Sequence, residues 1–227
     1  MNMRNTLLFN AVLLLAVLLS HSCIGEWVSY VKTKHYASAY VIANTFDPLL
    51  PSQEGLSDTC NFIMLSFSGN RVTVGSDGEK KDLFDKIALE NGDTGWKDYL
   101  DPTMEHFWDT YLYPDGLTIE VTSNVDFDTQ HPAGTSLNDC VYLQYSSAYD
   151  FVHSGYNPEK AMTKKQSLLS DLALDDLRML RVYPYPRLTF AKLPEIKGVH
   201  EITIRIYFDN NIRRTKTVEV DFDLINL

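Results

Sequence analysis

"ITIRIYFDNNIRRTKTVEVDFDL", residues 202–224, alternates apolar and polar side chains on both sides of an Asp-Asn-Asn centre. Ile202, Ile204, Ile206 and Phe208 fall on one face and Thr203, Arg205 and Tyr207 on the other. After Asp209-Asn210-Asn211, the residues Val218, Val220, Phe222 and Leu224 alternate in turn with Glu219, Asp221 and Asp223. A period of two belongs to a strand with one buried side. The Asp/Asn cluster supplies turn chemistry between the two runs, so this reads as a hairpin.

The same pattern recurs upstream. Leu117, Ile119, Val121, Val125 and Phe127 oppose Thr118, Glu120, Thr122, Asn124 and Asp126 along one extended run. Further strands are expected at residues 28–44, 62–67, 71–75, 140–145 and 188–193. Seven or so strands, mostly antiparallel, predict a mainly β chain: an antiparallel Ig-like β-sandwich with a few short inserted helices. One helix is expected over residues 79–90, with Leu83, Phe84, Ile87 and Ala88 on a stripe. A second opens at Asp101 with Pro102 in its first turn, carries Met104, Phe107, Trp108, Tyr111 and Leu112 at helical spacing, and stops at Pro114-Asp115-Gly116. Asn157-Pro158 opens a third. "SLLSDLALDDLRML", 167–180, fits either a helix or an irregular loop, and "YPYP", 183–186, forces an extended strip that no central strand could hold.

Composition narrows the function classes. The chain has 227 residues and a net charge of −10, with no basic stripe, so nucleic acid is not an expected partner. An apolar content of 44% excludes global disorder. At the N-terminus an apolar run over residues 7–19, broken only by Asn10, follows Arg4. It is shorter than the ~20 residues of a membrane span and has the length of a secretory signal.

That run ends in "LLSHSC", residues 18–23, which resembles a bacterial lipobox. Ser20 and His21 depart from the usual aliphatic-then-small pair, as in the looser boxes of Bacteroidetes-type lipoproteins. The resemblance implies a signal peptide over 1–22, acylation of Cys23, and residues 23–227 as one domain tethered to the envelope, at the outer membrane. With Cys23 acylated, Cys60 and Cys140 remain as an even pair, either bridged in an oxidising compartment or buried as two free thiols. No C-x-x-C is present, so thiol catalysis is not expected.

"SNVDFDTQHPAGTSLND", residues 123–139, resembles a recurrent segment of small Bacteroidetes envelope lipoproteins, domains of unknown function. Such proteins also share a Gly-Val-His-Glu lead into a long hairpin, here Gly198 to Glu201. The likeness implies fold and location and carries no activity.

The candidate sites are weakly marked. There is no G-x-S-x-G, no H-E-x-x-H and no phosphate-cradling glycine loop. In a strand, His200 and Glu201 point to opposite faces. Asn124, Asp126 and Asp128 alternate toward His131 and a turn at 132–134, a set of oxygens that calcium could use, although Asn and Asp at a turn also serve the backbone. No other cofactor is implied. Asp98, Asp101, Glu105 and Asp109, with His106 among them, gather carboxylates for a glycan hydrolase, or simply favour the start of a helix. Tyr30, Tyr36 and Tyr40 share a strand face, and Tyr183 and Tyr185 lie on the Pro-rich strip; exposed aromatics of this kind bind sugars and peptides. His35 and His153 read as structural or surface residues. The expectation is a non-catalytic, membrane-anchored module that binds an envelope protein or a glycan. A glycan hydrolase and a pilus-type subunit that adds a strand to a neighbour are the alternatives.

Overall fold

The computed structural model describes residues 31–51, 61–100, 110–113, 117–161, 164–208 and 213–225. In chain order the strands are Val31–Thr33 (β1), Ala39–Leu49 (β2), Phe62–Thr73 (β3), Asp98–Leu100 (β4), Thr110–Tyr113 (β5), Leu117–Ser123 (β6), Val141–Ser146 (β7), Lys164–Leu168 (β8), Arg187–Phe190 (β9), Val199–Phe208 (β10) and Arg213–Asp221 (β11). Helix α1 spans Glu79–Glu90 and helix α2 spans Tyr149–His153. The protein is mainly β with few helices, as its alternation predicts.

Strands β10 and β11 form the expected hairpin, Ile202 facing Val218 and Ile206 facing Arg214, and β6 pairs with the other side of β10. These three strands make one sheet. A larger sheet runs β5-β2-β3-β9-β7-β8, and β1 pairs with β4 in a two-stranded ribbon. All pairs are antiparallel except β2 with β5, which is parallel and departs from the antiparallel expectation. The inward faces of both larger sheets supply one apolar cluster. Ile63, Leu65 and Phe67 of β3, Leu143 of β7, Ile119 and Val121 of β6, and Ile202, Ile204 and Ile206 of β10 all lie in it. At about 25 cal/mol per Å² of apolar surface removed from water, this cluster is the main source of stability.

Over the outer face of the six-stranded sheet lies a second cluster. Phe84, Ile87 and Ala88 of α1 pack there against Tyr40 of β2, Val72 of β3 and Tyr111 of β5, with Val152 of α2 alongside. The helical cover therefore sits on β5, β2 and β3. The outward residues Gln144 and Ser146 of β7, with Gln166 and Lys164 of β8 and Arg187 of β9, are polar and lie outside that cluster.

Three expectations are corrected here. Residues 110–113, read as the end of a helix, are strand β5. Tyr111 and Leu112 are both buried, one in each cluster, because β5 is covered on both faces; such a run mimics helical spacing. Residues 101–109 lie outside the described residues. The segment 167–180 is neither a helix nor a plain loop but the end of β8 followed by two short 3₁₀ turns, Leu169–Asp171 and Leu174–Leu177. Strand β3 also runs unbroken where two strands were expected. Gly69 allows it to pass β2 at a register shift, where a Cβ would stand 2.0 Å from the Ile42 carbonyl oxygen. Among the described residues, no helix is long and apolar enough to cross a membrane.

Candidate functional site

Two places gather chemistry-bearing side chains, and they have opposite character. The first is the loop after β6. It folds back along the edge of that strand: the Gly134 N–H donates to the Ser123 carbonyl at 2.7 Å and the Leu137 N–H to that of Val121 at 2.8 Å. The Asn138 carboxamide accepts from the Val121 N–H and donates to the Ile119 carbonyl, so it pairs as a strand residue would.

Inside this loop Asp128 Oδ1 accepts from the backbone N–H groups of Gln130 and His131 and, at 2.7 Å, from His131 Nδ1. His131 Nε2 reaches Asp139 at 3.0 Å, and the Lys192 ammonium stands 2.6 Å from Asp128 Oδ2. A carboxylate at each ring nitrogen favours the protonated ring, which can donate from both. The hydrogen bond to Asp128 raises the His131 pKa above the ordinary value. Lys192, and then His131, hold the Asp128 carboxyl well below the usual carboxylate range.

Cys140 completes this group as a free, buried thiol; Cys60 lies outside the described residues. Its sulfur is 3.6 Å from Nε2 and 3.8 Å from Nδ1 and donates toward Asp139 Oδ1 at 3.6 Å, and burial pushes the thiol up to about 11. A protonated thiol beside an imidazolium whose two protons are spoken for is not an activated nucleophile. Asp128, His131 and Cys140 bring three potential ligand atoms within 4.8 Å of one another. A metal, however, needs deprotonated ligands, and here the imidazole and the thiol are both biased toward their protonated forms while Lys192 already neutralises the carboxylate. The arrangement is charge-balanced within itself.

The calcium set is drawn into the same backbone bonding. Asn124 Oδ1 accepts from the Glu201 N–H, Asp126 Oδ1 accepts from the Ala133 N–H, and Asp128 is engaged as described. His200 is buried between Phe127 and Phe222, accepts at Nδ1 from the Ser123 hydroxyl, and donates from Nε2 to the Ile196 carbonyl. It is a structural residue.

The second place is a cleft of about 270 Å³ on the outer sheet face beyond the helices. Register builds it: Gln144 of β7 stands between Gln166 of β8 and Arg187 of β9 in one cross-strand row, and Ser146 faces Lys164 in the next. The Gln144 amide donates to that of Gln166 at 3.1 Å. Pro184 and Tyr185, from the extended strip, form the facing wall. Arg187 lies over the Phe62 ring at 4.5 Å, and Lys165 is paired with Asp150 at 2.7 Å. Among the described residues neither Lys164 nor Arg187 meets a carboxylate.

Of the tyrosines singled out in sequence, Tyr185 lines this cleft and Tyr183 packs edge-on against it at 5.5 Å. Tyr40, in β2, is wholly buried beneath the helices, and Tyr36, in a bend before β2 and not on the strand face expected of it, is half-buried among Trp96, Phe151 and Tyr111, so neither is an exposed platform. Tyr30, Cys23, Asp101, Glu105, His106 and Asp109 lie outside the described residues, and of Asp98 only the backbone, in β4, is described.

Sequence reading missed Gln144, Gln166, Lys164 and Arg187, which come from three strands and form no motif. It also missed Asp93. That fully buried carboxylate accepts from the backbone N–H groups of Tyr36 and Ala37 and from the Tyr156 hydroxyl, while burial pushes its pKa up. His35 bonds the carbonyl of the same residue, and His153 bonds the Tyr149 carbonyl; both are structural. Compared with protein-family models, curated proteins and solved structures, the chain matches none.

Proposed function

We propose that this protein is a non-catalytic binding module of the cell envelope, tethered by an acylated Cys23 and built on a β-sandwich of immunoglobulin-like type. Its binding face is the open half of the six-stranded sheet, and its ligand is a glycan. The observation that carries this reading is the row Gln166-Gln144-Arg187 beside Tyr185. Paired amides offer donors and acceptors at fixed spacing, which suits vicinal hydroxyls. A tyrosine ring offers apolar area at small entropic cost, with a hydroxyl at its wet edge. A few convergent polar groups around an apolar wall are what a small-ligand site requires.

Glycoside hydrolysis needs two carboxyl groups about the scissile bond. The described lining of this cleft contains none, which favours binding over cleavage. Addition of a strand to a neighbour is also less well supported at β6, whose outer edge is filled by Asn138 and the 134–137 backbone.

The test is a panel of immobilised oligosaccharides probed with the mature protein and with a Gln144→Ala/Tyr185→Ala double variant. Retention of wild type on a subset, lost in a variant that melts within ~2 °C of it, is the expected result. Retention unchanged by the double variant, or retention of neither protein on any glycan, overturns the proposal.

A further inference from the structure

The charge of the cleft is opposite to that of the molecule. A chain of net charge −10 places Lys164, Lys165 and Arg187 around one small opening whose described lining has no acidic side chain. Lys165 is answered by Asp150, outside that lining. Lys164 and Arg187 are not answered by any carboxylate among the described residues. Some other surface cations find partners, Lys81 with Asp85, Lys216 with Asp47 and Arg205 with Glu120; what sets Lys164 and Arg187 apart is that they share one opening with Lys165 and no acidic lining.

We infer that the cleft is selective for carboxylate-bearing sugars, uronic-acid units of an oligosaccharide, with Arg187 as the carboxylate receptor. The inference rests on the glycan-binding reading above and names its ligand class. The guanidinium is a planar fork whose geometry matches a carboxylate bidentately. Its contact with the Phe62 ring at 4.5 Å restricts its freedom before any ligand arrives, so less is lost on binding. Gln144, next to it in the cross-strand row, lies one strand spacing away, about 4.8 Å, which is within reach of a hydroxyl on the same sugar ring. Lys164, on the edge strand and exposed, supplies a second positive charge at the mouth for the next acidic unit. The open cleft has room for a short part of a chain, whose remainder would lie along the sheet face.

The experiment uses the mature chain and fragments of four polymers: polygalacturonate, polyglucuronate, alginate and hyaluronan. Each is offered beside its carboxyl-reduced form, which keeps the chain and removes the charge, and inorganic phosphate is added as a competitor. The expected result is that at least one acidic fragment binds at least tenfold more tightly than its reduced partner. Raising salt from 50 to 500 mM should then weaken it, and Arg187→Gln should bring the two forms to parity without shifting the melting temperature by more than ~2 °C. Lys164→Gln should weaken acidic binding severalfold more than it weakens binding of the reduced form.

Equal binding of acidic and reduced fragments overturns the inference while leaving a neutral-glycan module standing. Displacement by low-millimolar phosphate overturns it in favour of a general anion site. Absence of binding to all eight fragments overturns it too, and the oligosaccharide panel then shows whether the glycan reading falls with it.

Discussion

His131 shows how one residue can resemble a catalytic or metal-binding group and be neither. Its ring is bracketed by Asp128 and Asp139, and its protonated state is the one the fold selects. A folded-state pKa raised above 6.5 adds stability that is fully present below that value and is lost as pH climbs through the raised one. Asp128 behaves in reverse: lowered from 3.8, it contributes above that value and loses its contribution as pH falls through the depressed one. The two shifts describe one interaction from its two ends and are not summed. The advantage of wild type over His131→Gln should therefore be greatest between pH 3.8 and 6.5, amount to about 5 °C in melting temperature there, and narrow as pH rises toward 9. Melting curves of both proteins at pH 5, 7 and 9 check this. A gap that widens with pH would mean that the ring is neutral in the fold.

Thiol chemistry belongs to the same scale. Cys140 is buried, with a thiol pushed up to about 11, so alkylating reagents at pH 8 should leave it untouched in the folded protein and modify it in denaturant. Mass spectrometry of protein treated with iodoacetamide in both conditions decides the matter. Fast modification of native Cys140 would contradict the burial on which the charge-balanced reading of the loop depends.

Among the elements, β6 is the most informative, because its outer edge is closed by a side chain. Asn138 bonds the Val121 N–H and the Ile119 carbonyl as a neighbouring strand would, so Asn138→Ala strips two backbone groups of their partner at once. At ~1–3 kcal/mol for polar groups left unsatisfied, the melting temperature should fall by about 3–10 °C. Asn138→Asp should be no better, since a carboxylate oxygen would then face the Ile119 carbonyl. Differential scanning calorimetry of the two variants tests both, and an unshifted transition would show that water replaces the amide at no cost.

How far these elements could be read in advance depended on their surroundings. Helix α1 and the β10/β11 hairpin each bury one face, so period and burial agree and both were legible. Strand β5 is covered on both faces, so its Tyr-Leu-Tyr run carries no period to distinguish it from a helix. The loop of 124–139 showed its turn residues plainly, but not which carboxylate would meet which nitrogen, since that is set by contacts from Lys192 and Glu201, more than sixty residues away.

For the molecule as a whole, the proposed binding face and the proposed tether belong to different parts of the chain. The cleft was illegible in sequence because Gln144, Gln166 and Arg187 become neighbours only through the register of β8, β7 and β9. The proposed tether, by contrast, rests on a local lipobox-like stretch at residues 18–23 and needs no fold to be read. All the described residues belong to one unit, Val31–Leu227, and every residue of the cleft lies within it. Membrane attachment and ligand binding should therefore separate cleanly. A diacylated cysteine gains ~0.8 kcal/mol per buried CH₂, so removing its sulfur removes attachment altogether rather than weakening it by degrees. Cys23→Ala should move the protein from the carbonate-washed membrane pellet to the soluble fraction and abolish incorporation of labelled palmitate. The same variant, purified, should keep the affinity of wild type for any single oligosaccharide and lose only the gain that comes from many tethered copies engaging one polymer. A Cys23→Ala protein that stays in the washed pellet would place the anchor elsewhere, and one that leaves it but no longer binds would tie the cleft to the tethered end of the chain.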